Sequence, residues 1–305
     1  MPGKKSDNKK KLDNELEKLY DHIKGQNFEN PEELQAFLQQ MVGQKLGDIV
    51  PKKRGRMSKK EESRELVYEA FESSLTKGKK LIKKALELDP DNADAYLYMA
   101  DIEEDIHKAL DYYKKGMAAG KKTIGEKDFK ELKGHFWGFH ETRPYMRAKA
   151  GYAECLYYAG KIDESIQEYA EMIELNPNDN QGIRYKYAAL LVNAGRFKEY
   201  ENLKKIFNDE GSALWLFTYA IYLFKKQGRT RRSDKALLDA HQANNHVAAF
   251  LTGEKEPPDM VPDYYSWGDE NEAVVYLKEA VPVWIETPGA LEWIHEFYDR
   301  RKRLN

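Results

Sequence analysis

One stretch of this chain, residues 146–179, constrains the fold more than any other. Its 34 residues, MRAKAGYAECLYYAGKIDESIQEYAEMIELNPND, have the spacing of two antiparallel helices joined by a turn at Gly160. Small Ala153 falls where the two helices must approach closely, and Pro177 ends the second helix. A single helical hairpin cannot bury its apolar face, so it needs similar hairpins on both sides. The stretch therefore predicts an all-α fold of stacked helical hairpins.

The same stretch resembles a tetratricopeptide repeat, whose period is 34 residues. Five of its residues fall at characteristic positions of that repeat: Ala153, Leu156, Ser165, Tyr169 and Pro177. Four earlier residues have the spacing of the second helix of another repeat: Gly78, Ile82, Ala85 and Pro90. Two further hairpins follow the same pattern at 96–116 and 180–207. The resemblance implies a right-handed α-solenoid of about five helical hairpins, preceded by an N-terminal two-helix extension.

The chain divides into four predicted segments: a disordered tail at 1–10, an N-terminal helical hairpin at 11–50, a basic linker at 51–60 and the solenoid at 61–305. An insertion at 121–145 interrupts the repeats, and capping helices are expected at 269–303, because a solenoid needs a polar outer face at its end.

Capping residues and apolar spacing place individual helices. Asn30 followed by Pro31 predicts a helix start. Ser233 is expected to cap a helix over 233–243, and 213–226 forms a strongly apolar helix before it. The next segment, 246–265, contains several prolines and predicts a loop. Two further residues, Leu203 and Ile206, are expected to face the core.

The order of motifs at the C-terminal end resembles the suppression-of-tumorigenicity-seven family. Four motifs carry the likeness: Asn-x-His-Val at 244–247, the double proline at 257–258, Gly-Asp-Glu at 268–270 and Gly-Ala-Leu at 289–291. A run at 84–120 adds to it, so that the likeness covers about residues 81 to 294. Animal members are membrane-associated and have no established catalytic chemistry, so the resemblance implies an interaction protein. This chain differs in having no predicted membrane span and in carrying Asn245 where proline is common.

A second likeness is closer. The segments GHFWG, ETRPYMRA and NPNDNQGIRY, at 134–138, 141–148 and 176–185, are similar to those of soluble bacterial tetratricopeptide proteins. We associate no defined activity with those proteins, so this resemblance adds a fold and leaves the function open.

Charge is distributed unevenly along the chain. Residues 1–60 carry 14 Lys and Arg against 9 Asp and Glu, although the whole chain has a formal net charge of −2. The segment PKKRGRMSKK at 51–60 is interpreted as a flexible linker, since it lacks the interleaved aromatic residues of a base-stacking surface. The alternative is a nucleic-acid-associated protein, because Arg54 and Arg56 flank a glycine as in arms that enter the minor groove.

The insertion ends in the densest group of candidate functional side chains, GHFWGFHETRPYMR at 134–147. One interpretation is structural: Phe136, Trp137 and Phe139 fill the gap in the stack, and Glu141 pairs with a nearby arginine. The other interpretation is a ligand site. Two arginines at the starts of consecutive first helices would suit a carboxylate or phosphate of a partner. The predicted partner-binding residues are Trp137, His140, Glu141, Arg143, Arg147, Asn180 and Arg184.

Chemistry at this segment is less well supported. His135 and His140 are five residues apart rather than four, and no second cluster supplies a third metal ligand. Cys155 is predicted to be a small buried thiol inside a helix. The sequence contains no glycine-rich phosphate loop and no nucleophile motif. We therefore predict no catalytic residue, no metal and no cofactor, and treat an enzyme with its site at 134–147 as the less favoured alternative.

The sequence thus predicts a non-enzymatic adaptor or scaffold that binds a protein or peptide, with an acidic group as the feature that the arginines would recognise. The polar N-terminus is unlike a secretory signal, and no apolar run approaches the ~20 residues of a membrane span. A cytoplasmic protein without a membrane partner is the simplest expectation.

The adaptor and nucleic-acid hypotheses predict different results in a gel-shift titration with DNA at increasing salt. The adaptor hypothesis expects no shift at physiological salt. The nucleic-acid hypothesis expects a salt-sensitive shift that disappears when residues 1–60 are deleted, because phosphate contacts of Lys and Arg release counterions. A shift that survives the deletion would contradict the assignment of DNA binding to the basic head.

Overall fold

The computed structural model describes Leu19, Ile23, Gln26 and residues 30–44, 57–262 and 264–303. The predicted tail at 1–10, most of the predicted N-terminal hairpin and residues 51–56 of the linker lie outside the described residues. Within the described part, all regular secondary structure is helical, which confirms the predicted all-α class. The right-handed solenoid stays a prediction. The chain forms two compact units, unit 1 (Met1–Cys155) and unit 2 (Leu156–Asn305).

Seven α-helices begin among the described residues of unit 1: α1 (Pro31–Met41), α2 (Lys59–Phe71), α3 (Leu75–Leu88), α4 (Ala93–Asp101), α5 (Ile106–Ile124), α6 (Glu126–Glu131) and α7 (Arg143–Tyr158). Two short 3-10 helices, Phe136–Gly138 and His140–Thr142, precede α7. Eight α-helices follow among the described residues of unit 2: α8 (Ile162–Leu175), α9 (Ile183–Asn193), α10 (Phe197–Ile206), α11 (Ala213–Gln227), α12 (Arg231–Ala243), α13 (His246–Leu251), α14 (Glu270–Ile285) and α15 (Ala290–Lys302). No helix of the described residues combines the length and apolarity needed to cross a membrane.

Helix starts follow the capping residues. The Asn30 side chain accepts the Glu33 N–H and Pro31 is the first residue of α1, as predicted. Ser58 and Glu61 form a capping box, so α2 begins at Lys59, inside the segment interpreted as a linker. A similar box between Thr230 and Ser233 starts α12 at Arg231. The prediction that Ser233 is the N-cap was therefore wrong, because Ser233 is the third residue of the helix.

The core of unit 1 begins between its first helices. Six buried residues of α2, α3 and α4 form one cluster: Val67, Ala70, Ile82, Ala85, Ala95 and Tyr98. Gly78 lies on the buried face of α3, where the ring of Tyr98 packs against it. The predicted second-helix residues Gly78, Ile82 and Ala85 are all buried, so the helical spacing correctly predicted which face of α3 enters the core.

The insertion is held by a different aromatic group from the one predicted. Phe136 is fully buried, but Trp137 is only half-buried and Phe139 is 37% exposed. Phe136 instead packs edge-on against Phe129 of α6, with ring centroids 4.9 Å apart, and against Tyr145 of α7 at 6.0 Å. The interpretation that Phe136, Trp137 and Phe139 fill the gap together was therefore wrong. Phe129 and Tyr145, which lie outside 136–139, pack with Phe136 instead.

Unit 2 has its core where α9, α11 and α14 pack together. Trp215 and Trp284 are buried there, and the Trp284 indole donates a hydrogen bond to Tyr276 Oη at 2.7 Å. The buried carboxylate of Glu272 accepts hydrogen bonds from the N–H of Ala213, the amide of Asn244 and the N–H of Gly268. These donors satisfy a buried charge that would otherwise be costly.

Two predictions for unit 2 were wrong. Ile206 is 57% exposed, whereas Leu203 is buried as predicted, because α10 is amphipathic and Ile206 is its last residue. The segment 246–265 does not begin as a loop, since α13 occupies its first residues and buries Val247, Ala248 and Phe250. The prolines that indicated a loop all lie after this helix.

Gly78→Ala is expected to destabilise the protein, although alanine is the better helix former by about 1 kcal/mol. A Cβ atom at Gly78 would overlap the Tyr98 hydroxyl and lie 2.8 Å from Cζ of the same ring. Overpacking costs about 1–3 kcal/mol, so we expect a net loss of about 1 kcal/mol in the free energy of unfolding, measured by urea denaturation. The loss should be smaller in a Tyr98→Phe background, which lacks the hydroxyl. A more stable Gly78→Ala protein would contradict the packing described.

Candidate functional site

A cleft of about 140 Å³ lies in unit 1 where four parts of the chain meet. The parts are one face of α2, the residues that lead into α4, the last turns of α5, and residues 140–147. We call it the unit 1 cleft. Tyr68, Phe71 and Pro144 give it an apolar surface, and charged side chains surround them.

Four of the seven residues predicted for partner binding line this cleft: His140, Glu141, Arg143 and Arg147. Trp137 lies beside it, since the Arg143 guanidinium stacks over the Trp137 ring at 5.3 Å and its Nε donates to the Trp137 carbonyl at 3.1 Å. The structure therefore brings five of the predicted residues together in unit 1. The remaining two, Asn180 and Arg184, belong to unit 2.

The end of the insertion positions these residues through one buried hydroxyl. Thr142 is fully buried, and its Oγ1 donates to the carbonyl oxygens of Phe136 and Phe139. Gly120 of α5 allows the close approach that this requires, because a Cβ atom there would lie 3.0 Å from Tyr145 Cα. The turn at 140–142 is thus fixed against α5, which places His140 and Glu141 at the cleft.

Arg147 forms a bidentate ion pair with Asp94 in the cleft. Its Nη2 lies 2.8 Å from Oδ2 and 2.9 Å from Oδ1 of Asp94, and its Nε lies 3.1 Å from Oδ1. Both side chains are largely buried, at 20% and 16% exposure. A bidentate pair of this kind is stronger than an exposed single contact. The charge of Arg147 is therefore already compensated within the protein.

Sequence reasoning missed Asp94, although a signal existed. Counting Met146 as the first residue of one repeat and Tyr96 as the fourth of another, Asp94 and Arg147 both fall at the second position of a first helix. Equivalent positions of consecutive repeats face the same side of a helical stack. Opposite charges at the same repeat position could have predicted this ion pair.

The lining of the cleft carries both signs of charge in equal number. The basic side chains are Lys60, Arg64, Arg143 and Arg147, and the acidic ones are Asp89, Asp91, Asp94 and Glu141. Lys122 at the rim lies 2.6 Å from Asp91. A surface of this composition does not attract one sign of charge strongly, so it suits a partner with mixed polar and apolar groups better than a polyanion.

In unit 2, Arg184 is also held by acidic side chains. Its Nη1 lies 3.0 Å from Asp179 Oδ2 and its Nη2 lies 2.6 Å from Glu210 Oε2, while Tyr185 Oη donates to the same Glu210 oxygen at 2.9 Å. Asp179 also caps α9 by accepting the N–H groups of Ile183 and Arg184. Asn180 is exposed next to this cap. Glu210, which sequence reasoning missed, lies 26 residues after Arg184 and gave no local signal.

The two carboxyl groups around Arg184 differ in pKa. Burial raises the pKa of Asp179 above its usual range, in spite of the N–H groups of Arg184 and Ile183 and the guanidinium. Burial also acts against ionisation of Glu210, but hydrogen bonds from Ser212, Arg184 and Tyr185 lower its pKa below the usual range. Arg184 therefore forms a structural ion pair with Glu210. It also contacts the carboxyl group of Asp179, which is almost completely buried.

Two features of the described residues concern nucleophilic chemistry and metal binding. Cys155 is buried, its Sγ lies 3.7 Å from the Ile106 carbonyl, and burial raises the pKa of its thiol. A raised pKa keeps the thiol protonated and unreactive. No group of three or more His, Cys, Asp or Glu side chains in the described part of the chain is arranged to hold a metal ion.

Comparison with known proteins does not identify the chain. A scan with protein-family models finds no match, and a search of curated proteins finds none either. The family resemblances predicted from the motifs stay predictions.

Arg184→Gln is expected to lower the free energy of unfolding by about 3 kcal/mol, because it leaves two buried carboxyl groups without their cation. The matched control is Arg196→Gln. Arg196 also pairs with two acids, Asp163 at 2.6 Å and Glu199 at 2.7 Å, but all three side chains are substantially exposed. Urea denaturation should show little change for this control. Equal losses in the two variants would show that burial of the Arg184 network does not matter.

Proposed function

We propose that this protein is a non-enzymatic interaction module that binds a segment of a partner protein in the unit 1 cleft. The observation that carries the proposal is the meeting of Trp137, His140, Glu141, Arg143 and Arg147 at one cleft with side chains of α2 and α4. Polar residues on exposed surfaces of connecting segments are more often functional than buried ones.

The size of the cleft favours a peptide over a small-molecule substrate. Its volume of about 140 Å³ is below the roughly 300–1,000 Å³ typical of small-molecule sites. Such a volume accommodates a side chain or two of a longer segment. The rest of the segment would then lie along the neighbouring surface.

The lining indicates the chemistry of that segment. An apolar side chain of the partner would contact Tyr68, Phe71 and Pro144. An acidic group of the partner would lie near Lys60, which is exposed at the start of α2. Arg147 would act indirectly, since its pair with Asp94 fixes one wall of the cleft.

The proposal includes the arrangement expected from the repeats. Side chains of α2, α4 and α7, the first helices of three hairpins, line the cleft, and in a right-handed α-solenoid first helices form the concave surface that binds peptides. The cytoplasmic location expected from the sequence is also part of the proposal. The nucleic-acid alternative finds no support in the unit 1 cleft, because its lining is balanced in charge.

The experiment is selection of peptides on the immobilised protein from a displayed random library, followed by affinity measurement on the enriched peptides. We expect Thr123→Trp, which places a large ring in the cleft from exposed Thr123 of α5, to weaken binding at least about tenfold. Lys60→Glu should weaken the binding of acidic peptides.

The matched control is Lys59→Glu. Lys59 is the exposed neighbour of Lys60 and does not line the cleft. This variant changes the net charge by the same amount as Lys60→Glu. Because the changed residue lies outside the cleft, it should bind peptides like the unmodified protein. The proposal fails if no peptide is enriched, or if enriched peptides bind the Thr123→Trp protein equally well.

A further inference from the structure

A second cavity, of about 240 Å³, lies at the other end of the sequence within unit 2. It is lined by His241 from the last turn of α12, His246 from the start of α13, and Tyr298 and Arg301 from α15. We call it the His241 cavity. The interaction module proposed above does not involve it.

The lining of the His241 cavity contains basic side chains and no acidic one. Arg301 and Lys302 contribute two permanent positive charges, and two histidines lie with them. Lys302 forms an ion pair with Glu254 and lies over the Tyr298 ring, with 5.3 Å between Nζ and the ring centroid. No ion pair among the residues that the structure describes involves Arg301. The cavity therefore has a surplus of positive charge, unlike the unit 1 cleft.

His241 has an unsatisfied nitrogen. Its ring meets the edges of Phe297 and Tyr298 at 5.3 and 6.3 Å between centroids. Its Nδ1 is buried and, within the described part of the chain, has no hydrogen-bond partner. Burial and then Arg301 lower the pKa of the ring, so His241 is neutral near pH 7. An unpaired buried N–H is rarer than an unpaired acceptor, so the proton of the neutral ring belongs on Nε2, which makes that nitrogen a donor.

We propose that the His241 cavity binds a phosphate group, either as inorganic phosphate or as the phosphomonoester of a small molecule. Arg301 offers a fork of N–H donors that matches phosphate oxygens, and Lys302 supplies a second positive charge. His241, Tyr298 and Asn245 belong to the same lining, and each of these side chains carries a neutral hydrogen-bond donor.

Other ligands fit less well. A metal cation is disfavoured because Arg301 and Lys302 would repel it. A carboxylate offers two acceptor oxygens, whereas a phosphate offers three and more negative charge, which better matches the Arg301 guanidinium, the Lys302 ammonium that Glu254 also contacts, and the neutral donors. The volume of about 240 Å³ is close to the lower end of small-molecule sites, so it leaves room for a small group beyond the phosphate.

The test is isothermal titration of the full chain at constant ionic strength and about pH 7.5, where phosphate is mainly dianionic. The probes are inorganic phosphate, glycerol phosphate and, for comparison, acetate. We expect one or both phosphates to bind, and acetate to bind at least several-fold more weakly. Arg301→Gln should weaken phosphate binding about tenfold, which is the effect of losing a charged hydrogen-bond donor. The tighter of the two phosphates indicates whether the natural ligand is the free ion or an ester.

Arg300→Gln is the matched control, because Arg300 is exposed in the same last turn of α15 and does not line the cavity. It should bind phosphate within about twofold of the unmodified protein. An independent measurement needs no change to the binding residues: the His241 ring resonance, assigned with His241→Asn, should shift when phosphate is added to the unmodified protein. Three results would each overturn the proposal: a resonance that does not move, equal effects of Arg300→Gln and Arg301→Gln, or acetate binding as tightly as phosphate.

Discussion

The ion pair between Asp94 and Arg147 is the interaction on which the architecture around the unit 1 cleft depends. It joins α4 to α7 across 53 residues of chain, and everything between them, including the irregular insertion, is closed into a loop by that contact. Each charge is largely removed from water, so each needs the other. The side-chain hydroxyl of Thr142, which bonds to a backbone carbonyl, then fixes the turn at 140–142. The ion pair and this turn together determine the shape of the cleft.

The two cavities differ in the kind of ligand that their linings would suit. In the unit 1 cleft, acidic and basic side chains are equal in number and lie with apolar rings, so the surface would discriminate by shape and by the position of each charge. In the His241 cavity, no acidic side chain belongs to the lining, so the local electrostatic field would favour an anion. A partner segment and a small anion would therefore not compete for the same donors.

Local signals predicted much of the fold. Asn30 with Pro31, the apolar spacing of Gly78, Ile82 and Ala85, and the apolar run that became α11 each depend on neighbours within one or two turns, and each was confirmed. The failures had distant causes. Arg147 and Arg184 were predicted to bind an acidic group of a partner. Each instead pairs with an acidic side chain of the same protein, which lies 53 residues away for Arg147 and 26 residues away for Arg184. Phe136 was correctly predicted to lie in the core. Its packing partners, Phe129 and Tyr145, could be identified only from the folded structure of the insertion.

The buried carboxylate of Glu272 has a consequence for how this protein tolerates change. It binds Asn244 before the segment 252–267 and Gly268 directly after it. One side chain therefore connects the residue that precedes α13 with the residue that follows this segment. The entropic cost of lengthening a loop with fixed ends grows only as the logarithm of its length. This exposed stretch, which carries Met260 and Trp267 at its surface, is accordingly a place where evolution or an engineer could insert a new peptide while α13 and α14 keep their places.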